Sequence, residues 1–150
     1  MELVLQKNGY RQDMSVVYVT RRVHFSAAHR LHNPVWSVEQ NESIFGLCSN
    51  ANWHGHNYEL EVTVKGTPNP ETGYVLDLKK LKKILETVII SKVDHKNLNL
   101  DVDFMQGEIC SSENFAIKIW QQLEPHFEKD NLVSIKLYET ERNFVEYRGE

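Results

Sequence analysis

Only two cysteines, Cys48 and Cys110, occur in the 150 residues. That is too few for a disulfide framework and suits a reducing compartment. No stretch approaches the ~18 apolar residues of a membrane helix, and the opening MELVLQKNGYRQDM lacks the apolar core of a secretion signal. A cytoplasmic protein away from membranes is therefore the expectation. Positive charge is also short. Against 21 Asp and Glu stand 17 Lys and Arg, giving a net charge of −4 and a pI near 6.0, so no overall basic field holds nucleic acid through its phosphates. Seven glycines and four prolines exclude collagen-like and low-complexity chains. With 41% hydrophobic and 25% charged residues, the composition and length are those of one globular domain.

Residues 1–14 show no clear periodicity and read as an N-terminal tail or extension, with Met14 as an alternative start, ahead of a single domain over 15–150. From Ser15 to His29 the odd positions Val17, Val19, Val23, Phe25 and Ala27 are apolar at period two, interrupted by Arg21, which predicts a strand with one buried face. Arg30 to Trp53 loses periodicity and reads as a long loop, a common carrier of sites. His54 to Gly66 alternates again, with Tyr58, Leu60, Val62 and Val64 on one side. After a Pro- and Gly-containing turn at 67–73, Leu78, Leu81, Ile84, Leu85 and Val88 recur at three and four, predicting a helix capped by Asp77. A second helix, capped by Ser112, carries Phe115, Ala116, Ile119, Trp120 and Leu123 on one face. Leu132–Thr140 and Asn143–Arg148 read as a hairpin closed at Glu141–Arg142. The order ββααββ predicts an α+β domain, an antiparallel sheet with two helices on its apolar face and a polar second face.

Alternation also places chemistry. His54 and His56 point to the side that Leu60 and Val62 mark as buried, and His29 is in phase with Phe25 and Ala27. Taken singly, each is an ordinary hydrogen-bonding histidine, as His24, His32 and His126 are read. Together, three imidazoles at facing strand ends fit the arrangement of a catalytic zinc site with one open position. Cys48, six residues before His54, could be a fourth ligand, an inert thiol, or a thiolate acting as base or nucleophile. Cys110 reads as packing. Asp94–His95 follows the first helix, where an acid beside an imidazole makes either a general acid or a plain polar turn. Glu139 continues the phase of Val133, Ile135 and Leu137 towards the buried side, so it needs donors, from an Arg, backbone or the paired N–H groups of a flat amidine-like ligand. Ser112 and Glu113 could add to such a pocket or simply serve the helix start.

The stretches FSAAHRLHNP, FGLCSNANWHGHNYELEVTVKG, NPETGYVLDLKKLK, DHKNLNLD, SSENFAIKIW and LYETERNFVEYRGE together resemble the 6-pyruvoyl-tetrahydropterin synthase family, which includes the 6-carboxytetrahydropterin synthases; the likeness runs from about Tyr18 to the C-terminus. The resemblance implies zinc ligands at His29, His54 and His56, a general base at Cys48 completed by Asp94 and His95, and a pterin-anchoring carboxylate at Glu139, with Ser112 and Glu113 in the pterin-pocket segment. It implies a lyase acting on 7,8-dihydroneopterin triphosphate, with magnesium as a candidate assisting ion and Arg30, Lys92 or Lys96 as candidates for holding triphosphate. It also implies the tunnelling fold, in which subunits join sheets into a barrel and share active sites, typically as a homohexamer built from two trimers. Five residues separate Cys48 from His54, as in the pyruvoyl-forming branch, which favours 6-pyruvoyl-tetrahydropterin as product over the 6-carboxy product of queuosine synthesis, formed with acetaldehyde. A structural-zinc protein or a non-catalytic pterin-binding module are the non-enzyme alternatives. Trp53, just before His54, is a candidate for reshaping the pocket or for a plain loop aromatic.

Overall fold

Period-two alternation is realised along β1 and β2. In a computed structural model describing residues 15–150, the elements run β1 (Val17–His29), α1 (Val38–Phe45), β2 (His54–Gly66), α2 (Leu78–Leu85), a one-turn α3 (Ser91–Val93), β3 (Lys96–Asn97), α4 (Ser112–Leu123), β4 (Leu132–Tyr138) and β5 (Phe144–Tyr147). The tail reading of 1–14 and the alternative start at Met14 lie outside the described residues. The five strands form one sheet in the order β3-β1-β2-β4-β5. β1 and β2 pair antiparallel without a register break from Val17↔Gly66 to His29↔His54, so every inward residue of one strand faces an inward residue of the other.

The inward face carries Phe25, Ala27, Tyr58, Leu60, Val62 and Val64, and α2 and α4 cover it with Leu81, Leu85, Phe115, Ile119 and Leu123. Phe25 stacks on Tyr58 at 5.1 Å, and Phe115 meets both rings edge-on, an arrangement favoured by the ring quadrupoles. The outward face is polar: Thr20 and Thr63 share a hydrogen bond of 2.8 Å, Arg22 bridges Glu59 and Glu61, and Ser26 donates to Asn57. Asp77 caps α2 as expected, its Oδ1 accepting from Lys79 N. No helix among the described residues is long and apolar enough to cross a membrane.

Four expectations are corrected. The sheet is mixed, because β3 runs parallel to β1 through Ala27↔Lys96 and Ala28↔Asn97; two residues carry no alternation to read. The stretch 30–53 contains α1 and a 3₁₀ turn at Gly46–Ser49. That helix has no apolar stripe and buries the polar Asn41 instead. The cap of α4 is Ser111, whose Oγ accepts from Asn114 N at 3.2 Å, leaving Ser112 inside the first turn. A register shift at Thr63/Val64 buries Leu132 and Ser134 while Val133 is only half-buried. Ile135 and Leu137 keep the inward phase that leads to Glu139.

Asn41 ties the inserted segment together. Its Oδ1 accepts from Asn33 N at 2.7 Å, and its Nδ2 donates to the carbonyls of Asn33 and Ser37 at 3.0 and 2.9 Å. Asn41→Ala leaves the half-buried Asn33 N–H without its acceptor, at about 1–3 kcal/mol, while the Asn33 and Ser37 carbonyls keep the Trp36 and Asn41 N–H groups. Urea unfolding is expected to show the loss, with faster amide exchange concentrated between residues 33 and 45; unchanged stability would contradict this role.

Candidate metal centre and active site

Because β1 and β2 stay in step, His29 and His54 are direct partners at the end of the ladder, and His56 follows two residues along β2. One potential ligand atom from each of the three imidazoles lies within 4.8 Å of the others, and the ring centroids are 4.6 to 5.1 Å apart. His29 Nδ1 donates to the carbonyl of Cys110 at 2.7 Å. A carbonyl only accepts, so this bond places the proton on Nδ1 and leaves Nε2 as the ring's lone-pair donor. His54 Nδ1 and His56 Nε2 are buried without a hydrogen-bond partner among the described residues. Glu139 Oε1 lies 3.1 Å from that His56 nitrogen, in contact but misaligned for a hydrogen bond.

Orphaned buried nitrogens are costly. A divalent cation with imidazole affinity satisfies them, and three neutral histidines with room for one more ligand suit zinc. Electrostatics agrees. Burial, first of all, lowers the His29 and His54 pKa values below the usual 6.5, and for His54 the neighbouring His56 adds to the effect. Tyr58 lies under the cluster with its hydroxyl 3.5 Å from both His29 ring nitrogens, and burial raises its pKa, keeping the phenol protonated.

Glu139, just past β4, joins the cluster to α4. The Ser112 hydroxyl donates to Glu139 Oε2. Ser112 is free to do so because Ser111, and not Ser112, caps the helix. Glu113 is exposed on the same turn.

Cys48 is half-buried in the 3₁₀ turn after α1, its carbonyl accepting from Leu31 N at 2.8 Å. It is not part of the three-imidazole cluster. Asp94 accepts from Ser26 N at 2.9 Å and lies 3.0 Å from His95 Nδ1. The Ser26 N–H, first of all, holds the Asp94 carboxyl below its usual range. His95 has a φ of 57°, its N–H donates to Ser26 O, and its side chain is 83% exposed. It lines an open cleft of about 550 Å³ with Ser26, Ala28, Gly55, His56, Asn57 and Lys96. Glu139 and Ser112 thus meet the histidines, and His95 shares a cleft with His56. Sequence reading missed the Cys110 carbonyl, since a backbone acceptor leaves no mark in residue type. It also missed Tyr58, although its in-phase position beneath His56 was readable.

A family model described as 6-pyruvoyl tetrahydropterin synthase matches residues 18–150. A 6-pyruvoyl tetrahydrobiopterin synthase of Pongo abelii is 46% identical over 132 residues, spanning 88% of this chain and 91% of that relative. One of Dictyostelium discoideum is 46% identical over 134 residues, spanning 89% and 97%. The solved Caenorhabditis elegans 6-pyruvoyl tetrahydropterin synthase superposes with a TM-score of 0.86 at 40% identity, covering 91% of this chain and 98% of that one.

Two outcomes follow from the geometry. The wild-type protein is expected to retain about one zinc or cobalt ion per chain after dialysis, and His54→Ala close to none, as read by metal analysis. Without metal, the unfolded chain binds more protons below pH 6.5 than the folded one, because His29 and His54 are harder to protonate when folded. Their contribution to stability is therefore complete above that pH and declines as acid carries the protein through the lowered folded values. Urea midpoints that do not fall between about pH 7.5 and 5.5 would contradict the assignment.

Proposed function

Since the chain belongs to the 6-pyruvoyl tetrahydropterin synthase family, we propose that it is a zinc-dependent lyase converting 7,8-dihydroneopterin triphosphate to 6-pyruvoyl-tetrahydropterin with release of triphosphate. One observation carries the reading: three clustered imidazoles, two with a buried nitrogen lacking a hydrogen-bond partner among the described residues, sit against a carboxylate oriented by a serine. The five-residue interval between Cys48 and His54, with the relatives' pyruvoyl name, supports this product over the 6-carboxy alternative. A cluster of three imidazoles without Cys48 supports a catalytic over a closed structural metal site.

His29, His54 and His56 would hold zinc, which when bound supplies polarisation of substrate hydroxyls and acidifies the adjoining C–H bonds. Glu139 accepts the two parallel N–H groups of the pterin edge, and Ser112 keeps its other oxygen in place. Glu113 rims the same segment. Cys48 Sγ takes the proton from the substrate side chain, and the Asp94–His95 pair delivers and collects protons on the opposite side, His95 being held by Asp94. A magnesium ion, if bound, would supply charge neutralisation for the triphosphate.

In this reading a complete site draws on two copies. The sheet edges support such an assembly. β3 covers β1 only at Ala27 and Ala28, leaving Val17–Ser26 without a strand on that side among the described residues, and β5 forms the other edge. Joining these edges from copy to copy closes a barrel lined by the polar face, with two trimers making a hexamer. The proposal includes one catalytic domain over 15–150 with an extension at 1–14, working in the cytoplasm.

The test is anaerobic incubation of zinc-loaded protein with 7,8-dihydroneopterin triphosphate and mass identification of products. Triphosphate with 6-pyruvoyl-tetrahydropterin is expected; acetaldehyde with the 6-carboxy product would move the protein to the other branch, and unchanged substrate would refute the reading. Cys48→Ala is expected to keep its zinc and lose turnover by roughly 100-fold or more. Turnover surviving in that variant would remove Cys48 from the role.

A further inference from the structure

Asn99 lies in the loop after β3, far in sequence from the strand end that it holds. Its Oδ1 accepts from Arg30 N at 3.0 Å, and its Nδ2 donates to the Arg30 carbonyl at 3.1 Å. An N–H only donates and a carbonyl only accepts, so the two bonds together fix which way the amide faces. Loop asparagines commonly bond backbone groups a few residues away, as Asn97 does when its Oδ1 accepts from Asn99 N at 2.9 Å. Asn99 instead reaches across 69 positions. Its half-buried side chain does what a peptide group of a neighbouring strand would do.

These bonds complete a grip on β1. Both polar groups of Ser26 are taken by the Asp94–His95 pair, Asp94 Oδ1 accepting from Ser26 N and His95 N donating to Ser26 O. Ala28 O then accepts from Leu98 N at 2.8 Å, beside the two pairings of β3. Residues 94–99 therefore hold the chain at 26, 28 and 30, every second residue, which is the set whose backbone groups face that edge. The ladder between β1 and β2 stops at His29↔His54. Asn99 thus secures the chain one residue past the last rung, next to an imidazole of the cluster. From there the order is passed on, because Leu31 N donates to the carbonyl of Cys48 at 2.8 Å.

We propose that Asn99 is a positioning residue of the reaction centre: by clamping both polar groups of Arg30 it locks His29, the turn bearing Cys48 and the Asp94–His95 pair into one arrangement. It acts through the backbone and contributes no group to the reaction. The inference rests on the roles proposed for Cys48 and Asp94–His95. Without the amide, thiol and imidazoles fall out of step, which costs rate more than binding.

Three readouts on the full-length protein test it: alkylation of Cys48 by iodoacetamide in the zinc-loaded form, located by mass mapping; the visible spectrum of the cobalt-loaded form; and steady-state kinetics. Asn99→Ala is expected to speed Cys48 alkylation about 10-fold, and Asn99→Asp, which keeps the acceptor for Arg30 N but loses the donor to the carbonyl, about 3-fold. Both variants shift the cobalt bands, reporting a changed geometry at His29. In Asn99→Ala kcat falls about 10-fold while KM changes by less than about 3-fold. Where Asn99→Ala does not fold, Asn99→Asp carries the same comparison. Asp77→Ala, which removes the cap of α2, lowers stability but leaves labelling, spectrum and kcat at wild-type values. Labelling and spectrum unchanged in the Asn99 variants would overturn the proposal, as would Asp77→Ala reproducing their changes. A protein that shows both changes yet turns over no 7,8-dihydroneopterin triphosphate would refute the lyase reading and leave the brace standing.

Discussion

The pairing of β1 with β2 is the constraint on which everything else in this molecule depends. A slip of one residue would carry His54, His56 and the whole apolar row of β2 to the polar face. Leu60 and Val62, fully buried opposite Val23 and Arg21, resist that slip through the area they remove from water. The core thus sets the geometry of the histidines at the far end of the same two strands. Apolar residues supply the precision and the polar ones the chemistry.

A second layer of order comes from the way polar groups are satisfied. His29 is almost fully buried and directs one ring nitrogen to the Cys110 carbonyl, while Ser112 secures one oxygen of Glu139. Each bond occupies one end of a bidentate side chain and leaves the other end committed to the shared space. That space is consequently lined by atoms with unmet bonding capacity, held by neighbours whose own capacity is met.

Much of this was legible in sequence because β structure has a period of two. Phase alone placed His29, His54 and His56 on one side and sent Glu139 after them. Phase could not foresee the bulge at Thr63/Val64, since an extra residue in one strand has no compositional signature. The helix around Asn41 escaped because an amide, and no apolar stripe, anchors it. The two-residue strand at Lys96 is held by β1's backbone, which is equally invisible in residue type. Spacing likewise left the Asp94–His95 pair without a place, and only the folded chain ties it to Ser26 and brings it into one cleft with His56.

Because His29 and His54 sit opposite one another while the chain from Arg30 to Trp53 runs between them, the imidazole cluster lies at the neck of a loop. An ion bound there would act as a clip on chain entropy. It would join the two ends of an excursion that the unfolded polymer otherwise explores freely, much as a covalent cross-link does. Cys48 is carried on that excursion, so the order of the loop, and with it the aim of the thiol, becomes a quantity that occupancy at the neck can tighten or relax.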